Sequence, residues 1–135
     1  MSCDFRITTP ATAWYLPEVE LGVPLSWAAI PRLAQEIGTA RARQLVMLCE
    51  RINGETAANW GVAHACVDDA DLDATVQAWA TRISSLPELA VHMTKTTFRG
   101  YNQQHSLGDA SEADADLIRV AHTDPSVAEN FGLHR

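Results

Sequence analysis

The stretch PRLAQEIGTARARQLVMLCERINGETAANWGVAHACV, residues 31–67, decides the fold because helical and strand patterns alternate within it. Proline is tolerated only in the first turn of a helix, so a helix begins around Pro31, and it ends at Gly38. Thr39 can cap a second helix. The apolar side of that second helix consists of Ala42, Leu45, Val46, Leu48 and Cys49. Two short helices are therefore predicted in succession.

The remainder of this stretch, RINGETAANWGVAHACV, predicts a strand, a short helix and a second strand. The short helix is capped near Asn53 and closed at Gly61. Upstream of the two helices, CDFRITTPATAWYLPEVELGVP is rich in β-branched and aromatic residues. Three prolines interrupt it, a pattern typical of short strands and turns.

From Asp69 onward the periodicity is helical. Asp69 or Asp71 can cap one helix, Pro87 suits the first position of another, and a third runs from about Ser106. A last short helix is predicted in TDPSVAENFG. The apolar stripes of the three longer helices include Leu72, Val76, Trp79, Ile83 and Leu86, then Val91 and Phe98, then Leu117 and Ile118. The predicted fold class is α+β, mostly helical.

Composition bounds the possible functions. The chain has 135 residues, 47% of them hydrophobic, which is enough for one modest domain with a core. A formal net charge of −7 gives no electrostatic footprint for nucleic acid or an anionic membrane. No apolar run approaches the roughly 20 residues needed to span a bilayer. We therefore expect neither nucleic acid nor membrane among the partners.

The three cysteines and the first ten residues give information about the cellular compartment of the protein. Cys3, Cys49 and Cys66 are odd in number and widely spaced, which fits reduced thiols that pack as small hydrophobes. The opening MSCDFRITTP lacks a basic region followed by an apolar one, so it does not have the pattern of a signal peptide. We expect a cytoplasmic protein.

One carboxylate stands in an apolar context. Glu18 follows Pro17 in YLPEVELGVPLSW, among Tyr15, Leu16, Val19, Leu21 and Val23. Glu20, two residues further along, is expected to point the other way and to be a surface acid. From the residues alone, Glu18 is either a catalytic acid or a solvent-facing acid of a turn.

A succession of motifs resembles the crotonase (enoyl-CoA hydratase/isomerase) superfamily. CDFRI is followed, fourteen residues after Asp4, by the glutamate of LPEVELG, then by the stretch at residues 31–67, and then by LPELAVHMTKTTF. The resemblance covers about residues 3–99 and matches only the second half of the family's proteins. It implies that residues 1–68 end a spiral of ββα turns. Residues 69–135 would form the helical region through which these proteins assemble into trimers or hexamers.

The resemblance also implies a role for Glu18. In the family, the glutamate of this Pro-Glu step is a catalytic acid/base near the C2–C3 bond of a CoA thioester. Proton transfer next to a thioester needs a group that changes protonation near neutral pH, so the residue type suits the chemistry. The same resemblance suggests substrate contacts for Leu16, Pro17, Leu25 and Trp27. No cofactor is implied, because coenzyme A is part of the substrate.

Other parts of the family's machinery do not match. Its two backbone oxyanion donors and the second glutamate of hydratases would fall before Met1, so we expect these residues alone to be catalytically incomplete. A glycine-rich run of hydratases is replaced here by Pro24 to Ala29. Trp27, within it, either reshapes the acyl end of the pocket or is core. The alternative function is a non-catalytic remnant or an interaction module.

The remaining candidates are cationic side chains and histidines. Lys95 and Arg99, one turn apart on a predicted helix, could meet the phosphates of CoA, or could simply form a solvated face. The histidines show neither HExxH nor a Cys/His pairing at metal spacing, so no metal site is predicted.

Overall fold

The computed structural model describes residues 3–104, 110–125 and 127. It has two short strands, β1 (Ile7–Thr8) and β2 (Ala65–Cys66), and six helices. The helices are α1 (Ala29–Ile37), α2 (Thr39–Met47), α3 (Gly54–Trp60), α4 (Leu72–Ser84), α5 (Glu88–Gln104) and α6 (Ala110–Ala121). The prediction of a mostly helical α+β chain is therefore confirmed.

The strands form a small parallel pair. Ile7 lies opposite Ala65 and Thr8 opposite Cys66. A separate antiparallel bridge joins Trp14 to Ile52. Parallel pairing needs a crossover connection, and the segment from the end of β1 to the start of β2 supplies it with α1, α2 and α3. The strands predicted on either side of α3 are thus an isolated bridge before the helix and a true strand after it.

Gly54 is required where α3 begins. A Cβ built on Gly54 would lie 1.9 Å from the carbonyl oxygen of Thr9, far inside van der Waals contact. Asn53 caps this helix, because its side chain accepts a hydrogen bond from the Thr56 N–H at 2.9 Å. Gly61 ends it in the left-handed conformation. Both ends of α3 are as the sequence predicts.

The core lies between α1, α2, α3 and the loop that precedes α1. Its buried members are Leu25, Leu33, Ile37, Ala42, Leu45, Val46, Ile52, Ala57, Val62 and Ala63. Arg6 connects the start of the described chain to this core. Its Nε donates to the Val62 carbonyl at 2.5 Å, and its Nη2 donates to Glu36 at 2.8 Å.

Two predictions about α2 and one about α4 are wrong. Thr39 lies inside α2 and Gly38 precedes it without any side-chain cap. Leu48 is 72% exposed, because α2 ends at Met47 and the helical periodicity no longer applies beyond it. A short 3₁₀ turn, Asp69–Asp71, comes before α4, and neither aspartate caps the helix through its side chain. Of the three cysteines expected to pack as small hydrophobes, Cys49 is buried and Cys66 is half-buried, but Cys3 is exposed, so the expectation is wrong for Cys3.

The apolar stripes of α4 to α6 are only partly covered in the single chain, with Leu72, Ile83, Val91 and Ile118 half-buried. Val76, Leu86, Leu89, Met93, Phe98 and Leu117 are all exposed large hydrophobics. Trp79 is half-buried and packs edge-on against Phe5, with ring centroids 5.7 Å apart. The division of the chain at residue 68 stays a prediction.

The predicted helix start at Ser106 and most of TDPSVAENFG lie outside the described residues. Among the helices that are described, none combines the length and the apolar character needed to cross a membrane.

Candidate active site

Glu18 lies in a compact turn between the Trp14–Ile52 bridge and α1. We call residues 15–28 the Glu18 loop. The Leu21 N–H lies 3.1 Å from the carbonyls of both Pro17 and Glu18, and the Val23 N–H donates to Glu18 at 3.0 Å. Gly22 has a φ of 83°, which glycine adopts without strain. The backbone carbonyl of Glu18 is therefore held by two N–H groups.

The start of the Glu18 loop is fixed from outside. Trp14 and Ile52 exchange backbone hydrogen bonds of 2.9 and 3.1 Å. Tyr15 donates its hydroxyl to the Glu20 carboxylate, and the Arg51 guanidinium lies 3.7 Å from the Tyr15 ring centroid. The hydrogen bond with Glu20 raises the pKa of Tyr15. Glu20 is exposed, as the sequence predicts.

The side chain of Glu18 is half-buried, and its Oε2 is buried with no hydrogen-bond partner among the described residues. An unsatisfied buried polar atom costs about 1–3 kcal/mol, and more when it is charged. Such an atom in a native fold needs an explanation. A ligand or a water molecule that forms a hydrogen bond with it would be one such explanation. Glu18 is thus positioned by its backbone while one carboxyl oxygen stays available.

Ser26 is a second residue of this kind, and the sequence analysis missed it. Its side chain is 2% exposed, and its Oγ has no hydrogen-bond partner among the described residues. A serine between a leucine and a tryptophan gives no sequence signal, since its burial depends on the path of the loop. The Glu18 loop therefore carries two buried polar atoms without partners.

The loop enters α1 through two residues in the left-handed region. Trp27 has a φ of 58° and Ala28 a φ of 51°. An L-residue in this region costs about 1–2 kcal/mol. These positions fall in the segment that the resemblance aligns with a glycine-rich run. Trp27 is 74% exposed, so the interpretation of its side chain as core is wrong.

The other expected substrate contacts differ in burial. Leu25 belongs to the buried core, and Leu16 packs against that core. Pro17 is half-buried beside Glu18. The structure therefore brings Leu16, Pro17, Glu18, Leu25 and Trp27 onto one loop, with Leu25 facing inward and Trp27 exposed. Their contact with a substrate stays a prediction.

Lys95 and Arg99 lie apart from this loop, on α5. Lys95 donates a hydrogen bond to Asp4, and this bond is the main reason why the pKa of Asp4 is lowered. The charge of Arg99 lowers it further. A phosphate group would have to compete with Asp4 for Lys95. A role of these cations in binding CoA stays a prediction.

A cavity of about 690 Å³ lies elsewhere, between the end of β2 and one face of α4. Its lining includes Cys66, Asp68, Asp71 and Trp79, and no residue of the Glu18 loop. Burial raises the pKa of the Cys66 thiol, and nearby acidic groups raise it further, so this thiol is a poor nucleophile. Within residues 3–104, 110–125 and 127, no cluster of three His, Cys, Asp or Glu side chains could hold a metal.

Comparison with known protein families shows which family the chain belongs to. The family model described as "Enoyl-CoA hydratase/isomerase" matches residues 1–131. The chain belongs to this family. A protein of Mycobacterium bovis described as a probable enoyl-CoA hydratase is 30% identical over 129 residues, which are 96% of this chain and 50% of that protein. The crotonyl-CoA hydratase of Syntrophomonas wolfei is 31% identical over 118 residues, 87% of this chain and 45% of the relative.

Solved structures of enoyl-CoA hydratase/isomerase family proteins share this fold. The enoyl-CoA hydratase of Mycobacterium avium subsp. paratuberculosis superposes with a TM-score of 0.87 at 24% identity. The match covers 95% of this chain and 52% of that one. The chain, a member of the enoyl-CoA hydratase/isomerase family, thus spans about half the length of the relatives that it matches.

Proposed function

We propose that this chain acts on an acyl-CoA thioester by acid/base proton transfer next to the thioester carbonyl, with Glu18 as the proton-transfer residue. Family membership and two hydratase relatives at 30% and 31% identity support a substrate of this class. A further relative in Arabidopsis thaliana is described as a peroxisomal fatty acid β-oxidation multifunctional protein. The proposed setting is fatty acid metabolism in the cytoplasm, without a cofactor other than the CoA of the substrate.

The observation that carries the proposal is the free, buried Oε2 of Glu18. Two backbone N–H groups hold the carbonyl of this residue, so its position does not depend on its side chain. A carboxyl group used only for structure would normally have a hydrogen-bond partner. A buried carboxyl oxygen that has no other partner is suited to exchange a proton with a bound molecule.

The proposal includes an expected incompleteness. The chain spans about half the length of its relatives, and we propose that it corresponds to their C-terminal half. Oxyanion donors are usually a large part of the rate acceleration in acyl chemistry, and the resemblance places both of them outside this sequence. We therefore expect no measurable turnover of crotonyl-CoA by residues 1–135 alone.

The experiment that tests the proposal compares Glu18→Gln with Glu20→Gln in the natural protein that contains this chain. Glutamine is nearly isosteric, so both variants should fold. Glu18→Gln should lower kcat by about 10²–10⁴-fold and leave CoA-thioester binding nearly unchanged. Glu20 is exposed, and a glutamine there keeps an oxygen that can accept the Tyr15 hydroxyl, so Glu20→Gln is the matched control and should keep its activity. Equal turnover in the two variants would make Glu18 a structural acid.

A second candidate function is assembly, and the uncovered apolar side chains of α5 favour it. Leu89 and Phe98 are 73% and 65% exposed, and Met93 between them is also exposed, and apolar patches of this kind mark interaction sites when they are large. We propose that the helices from Asp69 onward form a homotrimer or hexamer, with or without the chemistry at Glu18. Light scattering at micromolar concentration should give a mass of three or six chains. A well-behaved monomer contradicts this assembly.

A further inference from the structure

The cavity of about 690 Å³ lies at the carboxyl ends of the two parallel strands, and no residue of the Glu18 loop lines it. Pro10 comes just after β1, Cys66 ends β2, and Asp68 and Asp71 lead into α4. Cavities of roughly 300–1,000 Å³ have the size of small-molecule sites. The function proposed for Glu18 makes no use of this cavity.

The charged part of the cavity lining is entirely acidic. Glu55, Asp68 and Asp71 border the cavity, and no described Lys, Arg or His does so. Within the described part of the chain, these three carboxylates form no ion pair, whereas Asp4 and Glu36 each pair with a cation. A cleft lined by charges of one sign focuses their potential. The cavity therefore attracts cations.

The thiol of Cys66 shows that the acidic charges act together on the cavity wall. Burial raises the pKa of this half-buried thiol, and the charges of Glu55, Asp68 and Asp69 raise it further. These acids come from the start of α3 and from the segment after β2, so two separate parts of the chain direct negative potential to one place.

The rest of the cavity wall is largely apolar. Val67, Ala78 and the ring of Trp79 lie beside the carboxylates. Trp79 is half-buried, and Phe5 packs edge-on against its ring with the centroids 5.7 Å apart. The face of an indole ring attracts cations, and methylene groups pack well against alanine and valine. A complementary ligand thus combines several positive charges with apolar segments.

We propose that this cavity binds an aliphatic polyamine, whose ammonium groups meet Glu55, Asp68 and Asp71 while its methylene segments pack against the apolar wall at Trp79. The binding is non-covalent, and no bond forms or breaks. This site is separate from Glu18, so the inference does not rest on the function proposed for that residue.

The test uses spermidine and hexaamminecobalt(III), two triply charged cations of which only spermidine has methylene groups. Calorimetric titration of the natural protein that contains this chain should show spermidine binding about 10-fold more tightly at equal ionic strength. Burial of about two methylene groups has an effect of this size. Equal affinity for the two cations overturns the inference, because the apolar wall would then contribute nothing. Absence of spermidine binding overturns it as well.

A pair of variants with the same change of charge locates the site. Asp71→Asn should weaken spermidine binding about 2- to 5-fold, the effect of one exposed ion pair. Asp73→Asn is the matched control, because Asp73 is exposed two residues further along and does not line the cavity, and its affinity should be unchanged. Equal losses in the two variants overturn the inference, since spermidine would then be attracted only by the net charge of −7.

The ligand-free Tm of both variants is measured by scanning calorimetry. Neither Asp68 nor Asp71 caps a helix through its side chain, so both variants should fold as the wild type does. If Asp71→Asn lowers the Tm, Asp68→Asn makes the same test, with the same expected loss of affinity and the same contrary result. All these outcomes leave the function proposed for Glu18 untouched, because none of the altered residues belongs to its loop.

Discussion

Tyr15 donates a hydrogen bond to Glu20 across the turn that carries Glu18. The contact joins residues 15 and 20, and the Arg51 guanidinium lies over the Tyr15 ring, 3.7 Å from its centroid. The acid proposed for chemistry is thus flanked by a second acid whose partner is already assigned. Of these two carboxylates, Glu20 accepts the Tyr15 hydroxyl, whereas Oε2 of Glu18 has no partner among the described residues.

The raised pKa of Tyr15 gives a testable pH dependence. The hydrogen bond with Glu20 favours the neutral phenol in the folded chain, so the unfolded chain ionises first. The resulting stability is fully present below about pH 10, the ordinary value of tyrosine, and is lost as pH rises through the folded pKa. Ultraviolet titration of the phenolate should show Tyr15 ionising above the ordinary value. In Glu20→Gln, where the carboxylate is removed, the midpoint should move down, and an unmoved midpoint contradicts the contact.

Gly54→Ala should destabilise the fold strongly. The new Cβ would lie 1.9 Å from the Thr9 carbonyl oxygen, and backbone cannot move aside as a flexible side chain can. Overpacking typically costs about 1–3 kcal/mol and sometimes more. Gly100→Ala is the control, because Gly100 is helical with nothing within 4 Å of its Cβ position. That change should stabilise by about 0.5–1 kcal/mol. Urea denaturation measures the free energy of unfolding of both variants. Similar changes in the two variants would contradict the steric clash expected at Gly54.

Ala28→Gly should stabilise the chain by up to about 1 kcal/mol. Ala28 has a φ of 51°, where glycine has no Cβ clash, although glycine also loses more entropy on folding. The control is Ala80→Gly at an exposed position within α4, where glycine should destabilise by about 1 kcal/mol. Opposite shifts in the urea midpoint are expected. Two shifts of the same sign would show that Ala28 is not strained.

The ion pair between Asp4 and Lys95 should contribute little at neutral pH and nothing in acid. Both side chains are about half exposed, and exposed pairs typically contribute about 0.2–1 kcal/mol. The hydrogen bond from Lys95 lowers the pKa of Asp4, so this contribution is present above pH 3.8 and is lost as pH falls through the lowered folded pKa. A double-mutant cycle of Asp4→Asn and Lys95→Met should give a coupling that shrinks in 1 M salt. A larger coupling that ignores salt would indicate a buried pair.

Local signals in the sequence predict the ends of α1 and α3 well. Asn53 and Gly61 mark the two ends of α3, and Pro31 falls in the first turn of α1, because caps and breakers act through bonds within a few residues. The same signals fail for Thr39 and Leu48. There, a glycine conformation and an early helix end override the expected cap and stripe.

The burial of the apolar side chains of α4 to α6 could not be predicted from periodicity. The apolar stripes that include Val76, Phe98 and Leu117 indicate that these faces need cover, but periodicity does not tell what covers them. At the candidate site, the Pro-Glu step singles out Glu18 for attention, since an acid in an apolar context is a visible anomaly, and its catalytic role stays a prediction. Ser26 was invisible, because an unsatisfied hydroxyl is a property of the folded path and not of the residue type.

The pairing of Ile7 with Ala65 has a consequence during synthesis. At 5–20 residues per second, β1 waits roughly 3–12 s on the ribosome before β2 has been made. During that time its N–H and C=O groups are open to any other extended chain. The strand has only two residues, so it offers few of these groups to a wrong partner. The brevity of β1 thus limits mispairing in the growing chain, and docking of β1 is expected late, after the helices between the strands have formed.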